Sequence, residues 1–124
     1  MAKMTPEILD AWKRRKGPIV LTTVASDGTP NSIYASSVAA YGDDTLVVSD
    51  NYFDKTRANI LAGSKGSILF ITDDNKAFQV KGRLAYYQSG PVFDDMKTWN
   101  TKYPGHAAAA VHVEAVYNGA KKLI

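Results

Sequence analysis

Short segments rich in β-branched residues, separated by tight-turn signals, limit the folds open to this sequence. Residues 19–25 form such a segment and are followed by Asp27-Gly28, a dipeptide typical of hairpin turns. Residues 42–44, residues 73–75 and Asn118-Gly119 carry further turn signals between segments of this kind. Strands joined by tight turns pair antiparallel, and alternating βαβ units are absent, so the sequence predicts a mainly antiparallel sheet.

Six strands and three short helices are predicted. The strands cover residues 19–25, 31–41, 45–49, 67–72, 77–87 and 107–117. Helices are expected after Thr5, after Asp54 and after Gly90, where an N-cap residue or an early proline precedes suitable apolar residues. Six strands at this spacing favour a small barrel with short peripheral helices, and residues 1–124 are expected to form a single domain.

Composition excludes several classes of site. The chain has no cysteine, so disulfides and thiolate metal sites are excluded. His106 and His112 are its two histidines, and neither lies in a metal-binding motif. No apolar run reaches the roughly 18 residues that a membrane span needs, and the N-terminus lacks the apolar core of a signal peptide. A cytoplasmic protein without a membrane partner is therefore expected.

The excess of positive charge is local. The net charge is +3, and it comes from the first 16 residues, because the ten basic and ten acidic residues after Lys16 balance each other. Residues 13–16 read Lys-Arg-Arg-Lys and could contact nucleic acid. They could instead be a solvated helix end, where cations complement the dipole. The second interpretation is favoured because no aromatic RNA-binding motif or zinc-finger spacing accompanies the cluster.

Residues 46–60 run from a strand through a polar turn into a helix, with Lys55 and Thr56 where the helix begins. A helix start offers free backbone N–H groups, and an ammonium and a hydroxyl added there make a phosphate site. Arg57 could add a second cation. The alternative is a merely polar first turn, but cations at a helix N-terminus oppose the dipole unless an anion binds. The segment therefore favours a phosphorylated small ligand.

Three segments together resemble a known family. They are residues 27–36 (Asp-Gly-Thr-Pro-Asn-Ser-Ile-Tyr-Ala-Ser), residues 46–60 and residues 79–83 (Gln-Val-Lys-Gly-Arg). In this order and spacing they resemble the pyridoxamine phosphate oxidase-like split-barrel family of flavin-binding proteins, in particular its short members among bacterial FMN-binding proteins. The resemblance extends from about Pro18 to Tyr117. It implies a six-stranded antiparallel Greek-key split barrel that forms a homodimer, with two FMN molecules in grooves between the subunits.

The resemblance also implies which residues bind the cofactor. The phosphate is matched to Lys55 and Thr56. The turn expected to line the ribityl chain and ring consists of Ser49, Asp50, Asn51 and Tyr52. The strand expected to follow the ring edge with its backbone contains Tyr34, Ala35 and Ser36. Gln79 matches a glutamine near the cofactor, and His106, after Gly105, could approach the flavin from the partner subunit.

Several of these side chains also have an ordinary structural interpretation. Gln79 could be an outward-facing residue of an alternating strand. Tyr34 and Tyr52 could be half-buried packing residues, and His106 could be a surface loop residue. The apolar run at residues 107–111 could be a buried strand or a dimer seam, and its small side chains would also admit a flat ring.

The expected function is an FMN-binding flavoprotein, an oxidoreductase of the flavin reductase or electron-transfer type with a small-molecule or protein redox partner. No acid–base pair or nucleophile triad is visible, so no catalytic residue is predicted. The arginine-containing C-terminal segment of the oxidase proper has no counterpart here, so pyridoxamine phosphate oxidation is not implied. The alternatives are a non-enzymatic flavin storage or carrier module, and a split barrel that binds a deazaflavin or haem.

Overall fold

A computed structural model describes residues 2–124, which form three helices and eight strands. The helices are α1 (Pro6–Lys13), α2 (Lys55–Leu61) and α3 (Pro91–Trp99). The strands are β1 (Ile19–Val24), β2 (Pro30–Ala35), β3 (Val38–Tyr41), β4 (Thr45–Asp50), β5 (Lys65–Ile71), β6 (Ala77–Tyr87), β7 (Ala107–Asn118) and β8 (Lys121–Lys122).

All eight strands belong to one antiparallel sheet that curls into a half-barrel. Seven of them follow the order β2-β1-β5-β6-β7-β4-β3, and β8 pairs with β7 outside this path. The edge strands β2 and β3 are consecutive in the chain, and only Ser36 and Ser37 separate them. Ala35 and Val38 can therefore lie at most about 11 Å apart, whereas a flat seven-stranded sheet would separate its edges by about 29 Å. The mainly antiparallel fold with short peripheral helices is confirmed.

The predicted strand count of six is wrong. The second predicted strand, residues 31–41, is two strands, because the chain leaves the β1 side of the sheet after Ala35 and pairs with β4 from Val38 onward. At this crossing the carbonyl of Ser37 accepts a hydrogen bond from the amide of Ser49 (2.9 Å). The alternating pattern of one continuous segment cannot show that its two halves pair with different strands.

The main core fills the inside of the curled sheet, where α1 also packs. α1 begins where predicted, with the Thr5 hydroxyl accepting a hydrogen bond from the amide of Ile8. Its apolar face buries Trp12, whose ring packs edge-on against Phe70 at 5.2 Å between centroids. Burying a large aromatic side chain of this kind stabilises a domain by about 2–3 kcal/mol. The apolar face of α1 is therefore part of the main core.

A second apolar cluster lies on the other face of the sheet, under α3. It contains Val47 of β4, Met96 of α3, and Ala108 and Ala110 of β7. Residues 107–113 of β7 are consequently buried on both faces, and the small alanine side chains let the helix approach the strand closely. The alanine run is a buried strand of this chain.

The basic cluster at residues 13–16 is largely engaged within the chain. Arg14 donates hydrogen bonds to Asp10 and Asp73, and Lys16 donates to Asn75. The Arg15 guanidinium lies over the Trp12 ring, 4.2 Å from its centroid. These contacts fasten the end of α1 to the β5–β6 turn.

Gly82 lies where β6 and β7 approach each other closely, and this gives a test of the fold. The β6–β7 register shifts between Lys81 and Gly82, and a Cβ at position 82 would lie 2.0 Å from the backbone oxygen of His112. We expect Gly82→Ala to lower the free energy of unfolding by about 3 kcal/mol, since backbone cannot move aside cheaply. Urea unfolding measures this. Gly119→Ala is the control, because the new methyl group has open space around it. It should cost only about 1 kcal/mol for its left-handed backbone. Equal effects of the two substitutions would show that close contact with His112 is not what requires glycine at position 82.

Candidate functional site

A groove of about 440 Å³ opens beside the edge strand β2, where β4 ends and α2 begins. This volume falls within the range of small-molecule sites. The groove is lined by β2 and the two serines after it, by the β4–α2 turn, and by Tyr103. Eight of the residues predicted to bind a cofactor line it: Tyr34, Ala35, Ser36, Ser49, Asn51, Tyr52, Lys55 and Thr56.

Lys55 and Thr56 form the polar end of the groove. α2 begins at Lys55 as predicted, and the Lys55 side chain is 76% exposed, with its ammonium 3.9 Å from the exposed carboxylate of Asp54. The buried Thr56 hydroxyl accepts a hydrogen bond from the Asn31 amide nitrogen (3.1 Å), so it keeps its own proton to donate. Asp54 occupies the N-cap position but makes no side-chain capping bond, which leaves first-turn N–H groups without that partner.

Asp50 does not line the groove with its neighbours, in contrast to its predicted place. Successive side chains of a strand point to opposite faces, so Ser49 and Asn51 face the groove while Asp50 points into the protein. Its carboxylate accepts hydrogen bonds from Arg57 (Nε, 2.8 Å), from the Phe53 amide (3.0 Å) and from the Tyr86 hydroxyl. Arg57, which could have added a second cation, does not line the groove, because its guanidinium is paired with the Asp50 carboxylate.

The pKa values of Asp50 and Tyr86 are both shifted by their contacts. Burial raises the pKa of Asp50, but the hydrogen bonds from Arg57, Tyr86 and Phe53 outweigh it, so the pKa of this carboxyl lies below its ordinary value. Burial and the neighbouring Asp50 raise the pKa of the Tyr86 hydroxyl. Asp50 is thus an anion that holds the β4–α2 turn and β6 together, and this fixes where Lys55 and Thr56 stand.

Asn51 ties the groove to a distant loop. Its side-chain oxygen accepts hydrogen bonds from the Ser49 hydroxyl, the Asn100 amide group and the Gly105 backbone amide, each at 3.0 Å. Residues 100–106 connect α3 to β7 and carry Tyr103, which lines the groove. Sequence reasoning missed Tyr103 and Asn31 as groove residues. The Tyr-Pro-Gly signal indicates only a helix break, and no local pattern shows that it meets a turn some fifty residues earlier.

Gln79 and His106 do not line the groove of their own chain. Gln79 points outward from β6 into a second depression of about 430 Å³, together with Lys65, Lys81 and Glu114. The backbone amide of His106 donates to the carbonyl of Asp50 (2.8 Å), and its side chain is exposed.

Both ring nitrogens of His112, the second histidine, lie within hydrogen-bond distance of a hydroxyl group. His112 is buried, with Nδ1 3.2 Å from the Thr45 hydroxyl and Nε2 3.0 Å from the Tyr87 hydroxyl. Burial and the nearby Arg83 lower its pKa. Within residues 2–124, histidine and carboxylate side chains form no group of three that could bind a metal ion. No helix in the same part of the chain is long and apolar enough to cross a bilayer.

Comparisons with known proteins match this architecture. The family model described as pyridoxamine 5'-phosphate oxidase matches residues 4–120. An uncharacterised protein of Methanocaldococcus jannaschii is 26% identical over 92 residues, which cover 73% of this chain and 60% of that protein. The chain thus corresponds to less than two thirds of the length of this curated relative.

Solved structures share the fold. HupZ of Group A Streptococcus is 24% identical, with a TM-score of 0.80 and 93% of each chain covered. An FMN-binding protein of Syntrophomonas wolfei is 25% identical, with a TM-score of 0.73 over 87% of this chain and 80% of that one. The haem storage protein HutZ of Vibrio cholerae is 17% identical, with a TM-score of 0.69 over 94% of this chain and 95% of that one.

The buried Asp50 carboxylate can be tested by substitution and by pH. We expect Asp50→Asn to lower the free energy of unfolding by about 3 kcal/mol at pH 7, because it leaves Arg57 without its anionic partner. Since the folded pKa lies below the unfolded value of about 3.9, the stabilisation is fully present above pH 3.9. It is lost as the pH falls through the lower folded pKa.

Urea unfolding of both proteins between pH 7 and pH 3 measures this difference. The gap between wild type and variant should narrow only at the acid end of the series. Asp54→Asn removes an exposed carboxylate from the same turn and should change stability by less than about 0.5 kcal/mol. A gap that stays constant down to pH 3 would show that the Asp50 charge is not what stabilises the turn.

Proposed function

This chain belongs to the pyridoxamine 5'-phosphate oxidase family, and on that premise we propose that it binds FMN in the groove between β2 and the β4–α2 turn. FMN joins a phosphate dianion to a flat, amphipathic ring. The groove joins a cationic, hydrogen-bond-donating end at Lys55 and Thr56 to walls of aromatic, apolar and backbone groups. This polarity along one groove is the observation that carries the proposal.

The phosphate end has one cation available. The Lys55 ammonium lies 3.9 Å from the exposed carboxylate of Asp54. An exposed ion pair of this kind is weak, so a phosphate can compete with Asp54 for the ammonium. The Thr56 hydroxyl is oriented by Asn31 and can donate. α2 has only seven residues, so its dipole is small, and the two side chains with the first-turn N–H groups provide the binding.

The ring end is bounded by a strand edge. β2 pairs with β1 on one side, and within residues 2–124 no strand pairs with its other side. Alternate N–H and C=O groups of residues 31–35 are thus left for another partner. The pyrimidine part of a flavin presents N–H and C=O groups along one edge, which complements a free strand edge. Tyr34 and Tyr52, each 78% exposed, add aromatic surface at the groove.

A homodimer would complete the groove. On the outer face of the sheet, Tyr34 lies opposite Val20, Val20 opposite Leu69, and Leu69 opposite Gln79. These side chains make one largely apolar row across four strands, and Leu69 is 42% exposed. A second chain that covers this row buries it, and Gln79 and His106 are proposed to reach the cofactor across that interface.

The proposed role is an oxidoreductase of the flavin reductase or electron-transfer type. The flavin would supply the redox chemistry, while the chain holds the phosphate, orients the ring and excludes water. Steady turnover with NADH or NADPH distinguishes an enzyme from a storage or carrier module. Because HutZ, a haem storage protein, shares the fold, the absorption spectrum of the purified protein should be recorded: it separates flavin from deazaflavin and haem.

Substitution of Lys55 tests the phosphate contact. We expect Lys55→Ala to weaken FMN binding by about 1.5–3 kcal/mol, the range for a charge-assisted hydrogen bond, as measured by fluorescence titration. Riboflavin, which lacks the phosphate, should bind the variant as well as it binds the wild type. Lys76→Ala is the matched control, since Lys76 also lies 3.9 Å from an aspartate but in the β5–β6 turn. Unchanged FMN affinity in Lys55→Ala would remove Lys55 from the site.

Substitution of Leu69 tests the dimer. We expect the wild type to sediment as a dimer and Leu69→Glu to sediment as a monomer with weaker FMN binding, because the substitution places a charge in the centre of the proposed interface. Leu61→Glu, at an exposed leucine of α2, should remain dimeric. A monomeric wild type that binds FMN tightly would refute this geometry.

A further inference from the structure

Tyr103 supplies a wall of the groove from a separate part of the chain. It lies between α3 and β7, whereas the other lining residues come from β2, the serines after it, and the β4–α2 turn. Its side chain is 53% exposed. A large aromatic side chain that stays half exposed at the rim of a groove offers a surface that a ligand can cover.

The loop that carries Tyr103 is fastened at both ends. Asn100, which is buried, and Gly105 donate hydrogen bonds to the same Asn51 oxygen. The Lys97 ammonium donates to the carbonyls of Pro104 (3.1 Å) and Gly105 (3.3 Å). Four hydrogen bonds thus hold the loop without using the Tyr103 ring.

The backbone around Tyr103 is also restricted. Pro104 has a fixed φ and limits Tyr103, the residue before it, to extended conformations. Gly105 has φ of +57°, and a Cβ there would lie 2.8 Å from the Asn100 side-chain nitrogen and 3.0 Å from the Lys97 ammonium. The return of the loop to β7 therefore requires glycine.

We propose that Tyr103 packs against the planar ring of the ligand and that the fastened loop selects flat aromatic ligands, separately from the phosphate contact at Lys55. This inference rests on the proposed function of the same groove. Because the loop is ordered by Asn51 and Lys97 before any ligand arrives, little conformational entropy is lost when the ring binds. Asn51 and Gly105 act as positioning residues for Tyr103.

Lumiflavin, the flavin ring without ribityl chain and phosphate, is the probe that isolates the ring contact. We expect Tyr103→Leu to weaken binding of lumiflavin and of FMN by the same factor, about three- to tenfold, the size of an aromatic pair contact. Tyr103→Phe keeps the ring and should bind lumiflavin within about twofold of the wild type. Lys55→Ala should weaken FMN binding and leave lumiflavin binding unchanged.

Gly105→Ala tests the positioning of the loop without changing a residue that lines the groove. It should weaken lumiflavin binding as Tyr103→Leu does and leave the ratio of FMN affinity to lumiflavin affinity unchanged. A general loss of structure would instead lower that ratio as well, because the site at Lys55 would also be disturbed. The thermal midpoint of each variant is measured alongside, and Tyr103→Leu, at an exposed position, should keep that of the wild type.

The outcomes separate this inference from the proposed function. If the wild type binds FMN and Tyr103→Leu binds lumiflavin as tightly as the wild type, the role of Tyr103 is overturned and FMN binding stands. If Tyr103→Phe loses lumiflavin affinity as fully as Tyr103→Leu, the hydroxyl rather than the ring makes the contact, and ring packing is overturned. If the wild type binds neither flavin, both the proposed function and this inference fail.

Discussion

Two serines determine much of the geometry of this protein. Ser36 and Ser37 are all that separates β2 from β3, yet these strands lie at opposite ends of a seven-stranded path through the sheet. So short a connection can exist only if the sheet curls until its edges nearly meet. The curling encloses the main core, and it also brings the free edge of β2 beside the end of β4 and the start of α2. The groove lies at that junction.

Two adjacent residues at the end of β4 support the groove through different contacts. Asp50 points inward and holds α2 and β6 through Arg57 and Tyr86, while Asn51 points toward the groove and holds the loop of Tyr103. The Arg57 charge is neutralised inside the chain, which leaves Lys55 as the cation at the polar end. A rigid support behind a few exposed polar groups is what precise ligand binding requires.

Local sequence signals located the elements well wherever a local interaction defines them. The helix start at Lys55 and the bounds of β6 match the sequence prediction, because turn residues and strand alternation act over a few positions. The same alternation implies that Asp50 points inward, because its neighbours Ser49 and Asn51 face the groove. The break between β2 and β3 carries no comparable signal: both halves suit a strand, and only their different partners distinguish them.

By itself, the sequence determined an antiparallel β protein with a polar helix start after its third predicted strand. Its resemblance pointed to eleven residues, eight of which line one groove. Only the tertiary structure decided that Asp50 and Arg57 neutralise each other, that Tyr103 joins the groove, and that Gln79 faces away from the groove of its own chain. The physical reason is the separation in sequence over which each kind of interaction acts. Turn and helix-start preferences act between neighbours in the chain, whereas ion pairs, groove walls and strand partners depend on contacts between residues that are distant in sequence.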